Sequence, residues 1–171
     1  MNRIVGLGQL QVSADPADTL TAYGLGSCIG VVLHAPEVGA WGLAHVVLPD
    51  AQDHGPDPAR PVWFADHAVP AIRRALARLG VQPHHRIDAI LVGGAHVVSC
   101  LDGFEIGERN ADAVEASLRR AGLHVLGREV GGEEGRTIRI HIAGGDVDIE
   151  TRSGGIETLY CAGPRTFRHA G

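Results

Sequence analysis

Cys28 closes the run Gly24-Leu25-Gly26-Ser27-Cys28, and small residues ahead of a cysteine are what a reactive thiol needs. Two glycines let the backbone bend tightly, so successive N–H groups can converge on one point and stabilise a thiolate or an oxyanion. A thiol with an ordinary pKa near 8.5 needs help to ionise, usually from a histidine. His45 is the natural partner, because the run 41–48 (WGLAHVVL) returns along the run 28–35 (CIGVVLHA) after a short turn. Such a pair would suit nucleophilic attack on an amide or ester. If the turn centres between Pro36 and Glu37, Cys28 and His45 face each other. A turn centred on Val38 sets His45 opposite Val31 instead, unless a bulge absorbs the difference. From spacing alone, a buried cysteine and a satisfied core histidine are the simpler reading, and the reactive pair stays open beside it.

Other residues carry weaker signals. Cys100 and Cys161 have no glycine nest and no partner histidine nearby, so they read as ordinary thiols. His84-His85 could ligate a metal, but a polar loop at a strand start explains them. The ten histidines show no HxxxH or Cys-His cluster, so no metal and no cofactor is expected. Gly93-Gly94 reads as close strand–helix packing. Arg73, Arg74 and Arg78 read as a solvated helix face, and Asn110 as a helix cap with a binding role left open.

The elements that must position these residues follow from patterning. Residues 4–12 read as a first strand and 19–23 as a short second one. Residues 28–35 are nearly all apolar, which implies a strand buried on both faces, and 41–48 make an antiparallel hairpin with it. Residues 49–61 form a polar loop, a candidate flap. Residues 64–79 show apolar spacing of a helix that Gly80 stops, with Pro70 in or near its first turn or kinking it. A buried strand covers 87–92. A second helix spans 110–121, with acidic residues early, arginines late and Gly122 beyond it. Strands follow at 123–130, 136–142 and 147–151, the second with Ile138, Ile140 and Ile142 on one face. The Gly-rich stretch from Ser153 to Gly171 reads as a loosely held tail. The fold class is α+β, a layered sandwich of antiparallel or mixed sheets with about two helices on one face, in a single domain over 1–171.

Composition narrows the chemistry. The chain of 171 residues contains no lysine, which excludes a Walker A motif, a Schiff base and a Ser-Lys pair. Every basic side chain other than histidine is a guanidinium, which stays protonated. A net charge of −5 argues against a nucleic-acid partner. Three widely spaced cysteines fit a reducing cytoplasm better than a disulfide framework. The start shows no signal-peptide pattern, and no run is long enough to insert in a membrane. The 24 glycines imply many tight turns.

The run GLGSCIGVVLHAPEVGAWGLAHVVLP resembles the signature of the chemoreceptor glutamine deamidases, the CheD family. The resemblance continues in order through VGGAHVV at 92–98, IGERNADAV at 106–114 and GGEEGRTI at 131–138, covering residues 4 to about 150. It implies a fold similar to toxin-type cysteine deamidases and hydrolysis of glutamine side chains in methyl-accepting chemotaxis receptors, with release of ammonia. Cys28 would attack the carboxamide, the backbone around Gly26 and Ser27 would hold the oxyanion, and His45 would be acid and base. Some members also bind a CheC-type phosphatase, so a weakly active binding regulator on the same fold is the alternative. Nothing demands more than a monomer. The family generally carries threonine six residues before the cysteine, thought to orient the histidine. Ala22 stands there, with Thr21 as its neighbour. Either a bulge restores Thr21, another group orients His45, or activity is weakened. Glu129 stands where the family's acid before Val-Gly-Gly is usually aspartate.

Overall fold

The computed structural model describes residues 1–51, 57–96 and 106–162. In chain order the elements are β1 (Asn2–Ile4), β2 (Leu10–Ser13), β3 (Thr19–Leu25), β4 (Ile29–Ala35), β5 (Ala40–Val46), α1 (Ala65–Ala77), β6 (Asp88–Gly93), α2 (Ile106–Arg120), β7 (His124–Val130), β8 (Arg136–His141), β9 (Asp146–Thr151) and β10 (Gly155–Cys161). One sheet runs β1-β3-β8-β9-β10 and the other β2-β5-β4-β6-β7. Both are mixed, because β1–β3 and β6–β7 pair parallel while the remaining pairs are antiparallel. The α+β sandwich expected from the sequence is therefore the observed class.

Apolar periodicity explains the layers. In β4, Ile29, Val31 and Leu33 pack with Ala68, Ile72 and Leu76 of α1 and Val114 and Leu118 of α2. Val32 of the same strand packs the opposite way, with Trp41, Leu43, Leu20, Ala22, Ile138 and Ile140 between the sheets. Every residue of β4 and β5 is buried, as a strand covered on both faces requires.

The single strand expected over 4–12 is instead two strands in different sheets. Gly8 adopts φ +71°, and a Cβ there would lie 2.6 Å from the Trp63 ring. The turn closes with Gln9 N–H donating to the Gly6 carbonyl at 3.0 Å. This glycine-permitted turn sends β1 to one sheet and β2 to the other, with Val5 buried at the crossing. Residues 155–161, expected as part of a loosely held tail from Ser153, instead pair antiparallel with β9 as an edge strand. Residues 163–171 lie outside the described residues, as do 52–56 of the polar loop.

At the end of the sandwich beyond the β4–β5 turn, His34 stacks on Trp41 at 3.6 Å between ring centroids, with Tyr160 edge-on to both. Burial drives the His34 pKa from 6.5 to about 4, although the Asp88 carboxylate pulls the other way. Between those values the unfolded chain holds a proton that the folded chain does not, so stability falls as pH drops from 6.5 towards 4. His34→Phe keeps the stack and removes the titration. Its melting temperature should fall less between pH 7 and pH 4.5 than the parent's, and an equal fall would refute this assignment.

Candidate active site

Pro36, Glu37, Val38 and Gly39 connect β4 to β5 between the paired residues Ala35 and Ala40. The turn thus centres between Glu37 and Val38, and the register lies between the two expected from the sequence. Gly30, not Cys28 or Val31, stands opposite His45. Cys28 lies one step before β4, two residues from Gly30, and so on the same face. Thiol and imidazole are diagonal neighbours, a relation with Cα atoms roughly 7–8 Å apart, within reach of long side chains. Gly30 between them adds no side chain. A Cβ at Gly30 would lie 2.9 Å from Leu25 Cδ1, so this face points at the other sheet.

The environment sets both protonation states. Cys28 is half-buried and burial pushes its thiol above the usual 9.0. His45 is buried, and burial pulls its pKa below 6.5, partly offset by a hydrogen bond to a backbone carbonyl. That carbonyl belongs to Val5, 3.3 Å from His45 Nδ1. An Nδ1–H donated to it leaves Nε2 as the basic nitrogen, and Nε2 is buried without a hydrogen-bond partner among the described residues. The resting pair is a neutral thiol beside a neutral imidazole, and among the described residues no hydrogen bond joins them.

Thr21 and Ala22 fall on opposite faces of β3. Ala22 belongs to the apolar cluster between the sheets. Thr21 Oγ1 donates to Asn2 Oδ1 at 2.8 Å. Pairing with β8 is regular through Ala22, with its irregularity between Ala22 and Leu25, so no bulge brings Thr21 round. The Thr21 carbonyl instead accepts the Val5 N–H at 2.8 Å and so ties down the residue whose carbonyl holds His45. No residue type marks Val5 for this role, and Gly6 and Gly8 only permit the crossing that brings it there.

The loop before Cys28 is held at each carbonyl. Ala95 N–H donates to Gly26 at 2.7 Å and Gly94 N–H to Cys28 at 2.9 Å. The Gly26 N–H is committed to the Gly24 carbonyl at 2.8 Å, so Gly26 shapes the loop and Ser27 and Cys28 are left as the oxyanion donors to consider. Gly93 and Gly94 serve close packing, as expected. A Cβ at Gly93 would lie 2.2 Å from the Cys28 oxygen, and one at Gly107 of α2 would lie 2.5 Å from the Gly94 oxygen.

Asn110 is no helix cap. The helix begins at Ile106, and Asn110 joins Gly107, Ala111, Val114, Ser117 and Leu118 in its buried stripe. Its Nδ2 donates to the carbonyls of Ser27 and Val47, each at 2.9 Å. Helical spacing extended back to Gly107 would have revealed this role. The remaining candidates lie apart from the thiol. Glu129 binds Arg136 at 3.0 Å, His85 Nδ1 accepts from Gln82 N–H, and Arg73 and Arg74 line a groove between the helices with Arg120. Cys161 is exposed on β10, and Cys100 lies outside the described residues. Among the described residues no helix is long and apolar enough to cross a membrane.

Two mixed sheets, two helices on one of them, and a cysteine and histidine on the inner face of neighbouring strands define the class, an α+β sandwich with a thiol–imidazole pair at one end. The family model described as CheD chemotactic sensory transduction matches residues 47–151. A protein from Desulforamulus reducens is 41% identical over 150 residues, covering 86% of this chain and 89% of its own length. One from Archaeoglobus fulgidus is 36% identical over 154 residues, covering 89% and 94%. Each carries the name "Probable chemoreceptor glutamine deamidase CheD". A matched span of that length includes Cys28 and His45 wherever it begins. The chain belongs to the CheD family.

Proposed function

We propose that the protein hydrolyses glutamine side chains of methyl-accepting chemotaxis receptors to glutamate, with Cys28 as nucleophile and His45 as acid and base. The observation that carries the reading is the open, buried Nε2 of His45 on the face that Cys28 shares. His45 Nε2 takes the Cys28 proton as sulfur bonds to the carboxamide carbon. The N–H groups of Ser27 and Cys28 hold the oxyanion. As the tetrahedral adduct collapses, the proton passes from Nε2 to the leaving nitrogen and ammonia departs, leaving a thioester. Water gives a proton to Nε2 and attacks the thioester carbon. Glutamate leaves and the proton returns to sulfur. No cofactor or metal enters these steps. A thiol that must stay reduced to work fits a reducing compartment such as the cytoplasm.

The deciding experiment is mass spectrometry of a receptor fragment after incubation. Amide-to-acid conversion at particular glutamines, with ammonia released, is expected, and an unchanged fragment sinks the reading. The alternative, a weakly active regulator that binds a CheC-type phosphatase, was motivated by Ala22. The Val5 carbonyl supplies the orientation that Ala22 cannot, which favours the enzyme.

Two further outcomes follow. His45 must be neutral to accept the thiol proton, and burial lowers its pKa, so the acid limb of kcat/KM should have its midpoint below 6.5. The thiol is raised above 9.0, so the rate should stay level from that limb to about pH 9. A thiolate–imidazolium pair would instead give a bell with a neutral maximum, and kcat/KM between pH 4 and 9 separates the two. Ala22→Thr restores the family hydroxyl beside an imidazole already oriented by Val5. It should change kcat less than tenfold, against the ~10⁴ lost with an essential orienting group in a triad. A larger gain would show that the carbonyl is inadequate.

A further inference from the structure

We infer that Asn110 is a positioning residue that sets the distance between the thiol and the imidazole by clamping the two strands that carry them. The inference rests on the deamidase reading for its kinetic consequence but not for its geometry. One amide group donates to the carbonyl directly before Cys28 and to the carbonyl two residues after His45, both at 2.9 Å. These carbonyls lie 20 positions apart in the chain, at Ser27 and Val47, just outside the paired stretch of β4 and β5. Strand pairing fixes the register from Ile29 and Val46 inward, His45 included, and leaves Cys28 one step beyond it. Asn110 takes over there.

Two observations show that this amide is placed for its donors and not for packing. Asn110 is 0% exposed, and its Oδ1 is buried with no hydrogen-bond partner among the described residues. An unmatched buried acceptor carries a desolvation cost that an apolar side chain would avoid. Two N–H groups on one nitrogen are what two carbonyls on different strands require, and a carboxylate, a hydroxyl or a methyl cannot supply them. The helix that carries Asn110 is seated by the Gly107–Gly94 contact, where no side chain fits. The clamp is therefore fixed at its base as well as its tip.

The test uses Asn110→Ala and Asn110→Asp in the full chain, with kcat, KM and the rate of Cys28 alkylation by iodoacetamide read site by site. Alkylation is measured far below the melting temperature, in samples with native near-ultraviolet circular dichroism. A site misplaced by about 1 Å loses up to ~10²-fold in rate. Asn110→Ala should lower kcat by 10- to 100-fold with KM little changed, while alkylation of the released, less buried thiol rises severalfold. Asn110→Asp sets a carboxylate against two carbonyls at pH 8 and should be as impaired. At pH 6, where that buried carboxyl takes up a proton, it regains one donor and should recover part of its kcat relative to the parent, which Asn110→Ala should not. Parent-like kcat and alkylation in both variants, or a lowered melting temperature with kcat unchanged, overturns the inference. If Asn110→Ala does not fold, Asn110→Asp at the two pH values decides alone. Equal loss at both overturns it. If the parent releases no ammonia, the deamidase reading fails while the alkylation contrast still tests the clamp.

Discussion

Cys28→Ala should fold as the parent does and release no measurable ammonia from a receptor fragment. Cys28 is half-buried and packs at the margin of the inter-sheet cluster, so loss of its sulfur leaves the apolar contacts of Leu25 and Val92 in place. The effect on rate is of another order. Every covalent step runs through the sulfur, and removing a nucleophile from a comparable site costs on the order of 10⁵–10⁶ in kcat. Cys28→Ser should also be inactive, because a hydroxyl titrates far above a thiol and His45, lowered by burial, is a weaker base than an exposed histidine. Ammonia release and trapping of the thioester with hydroxylamine check both variants. Activity persisting in Cys28→Ala would remove the thiol from the mechanism. Unchanged affinity for receptor with no turnover in the parent would favour the regulator.

The second large effect falls on a residue with no side chain. Gly93→Ala should lower both stability and activity, since Gly93 has φ +119° and an added Cβ would overlap the Cys28 carbonyl oxygen at 2.2 Å. The backbone conformation alone costs about 1–3 kcal/mol in an L-residue. Gly93 is anchored by the Gly131 N–H at its own carbonyl and the Cys28 carbonyl by the Gly94 N–H, so relieving the overlap shifts both and displaces Cys28. A total near 3 kcal/mol lowers the melting temperature by about 6–12 °C in a chain of this size. Displacement of the nucleophile should cost a further ~10²-fold in kcat. Gly24→Ala is the control. Gly24 has φ +65°, yet nothing lies within 4 Å of its Cβ position. It should cost only the left-handed backbone, about 1–2 kcal/mol, and leave kcat near the parent's. Thermal melts and kcat on the folded fraction of each variant distinguish the two costs. Equal behaviour of Gly93→Ala and Gly24→Ala would mean that the Cys28 contact is slack.

Periodicity made much of this legible. The all-apolar run 28–35 implied a strand covered on both faces, and β4 is one. Alternation at Ile138, Ile140 and Ile142 implied one inward face, and these residues lie between the sheets. Gly93-Gly94 implied close packing, which Gly107 completes. Other features were hidden for physical reasons. The β4–β5 register depends on one residue in the turn, and apolar runs on both strands satisfy any register equally well. Gly6 and Gly8 permit a crossing between sheets without requiring one, so residues 4–12 read as a single strand. Asn110 was read as a cap because asparagine favours caps, and the preference gave way to its place in a buried stripe. Val5 could not be seen at all, because its main-chain oxygen takes part and residue type carries no trace of that.

That last feature bears on how the sequence can drift. A hydroxyl that orients a histidine is lost by a single codon change, and its position must then be kept by selection. The oxygen held to His45 Nδ1 is a peptide oxygen, present whatever amino acid occupies position 5. Under the proposed reaction, an imidazole secured by the path of the chain frees position 22 to serve the apolar interior, where Ala22 lies. The constraint then falls on the glycine that turns the chain, Gly8, and lineages that carry alanine at position 22 should show it there.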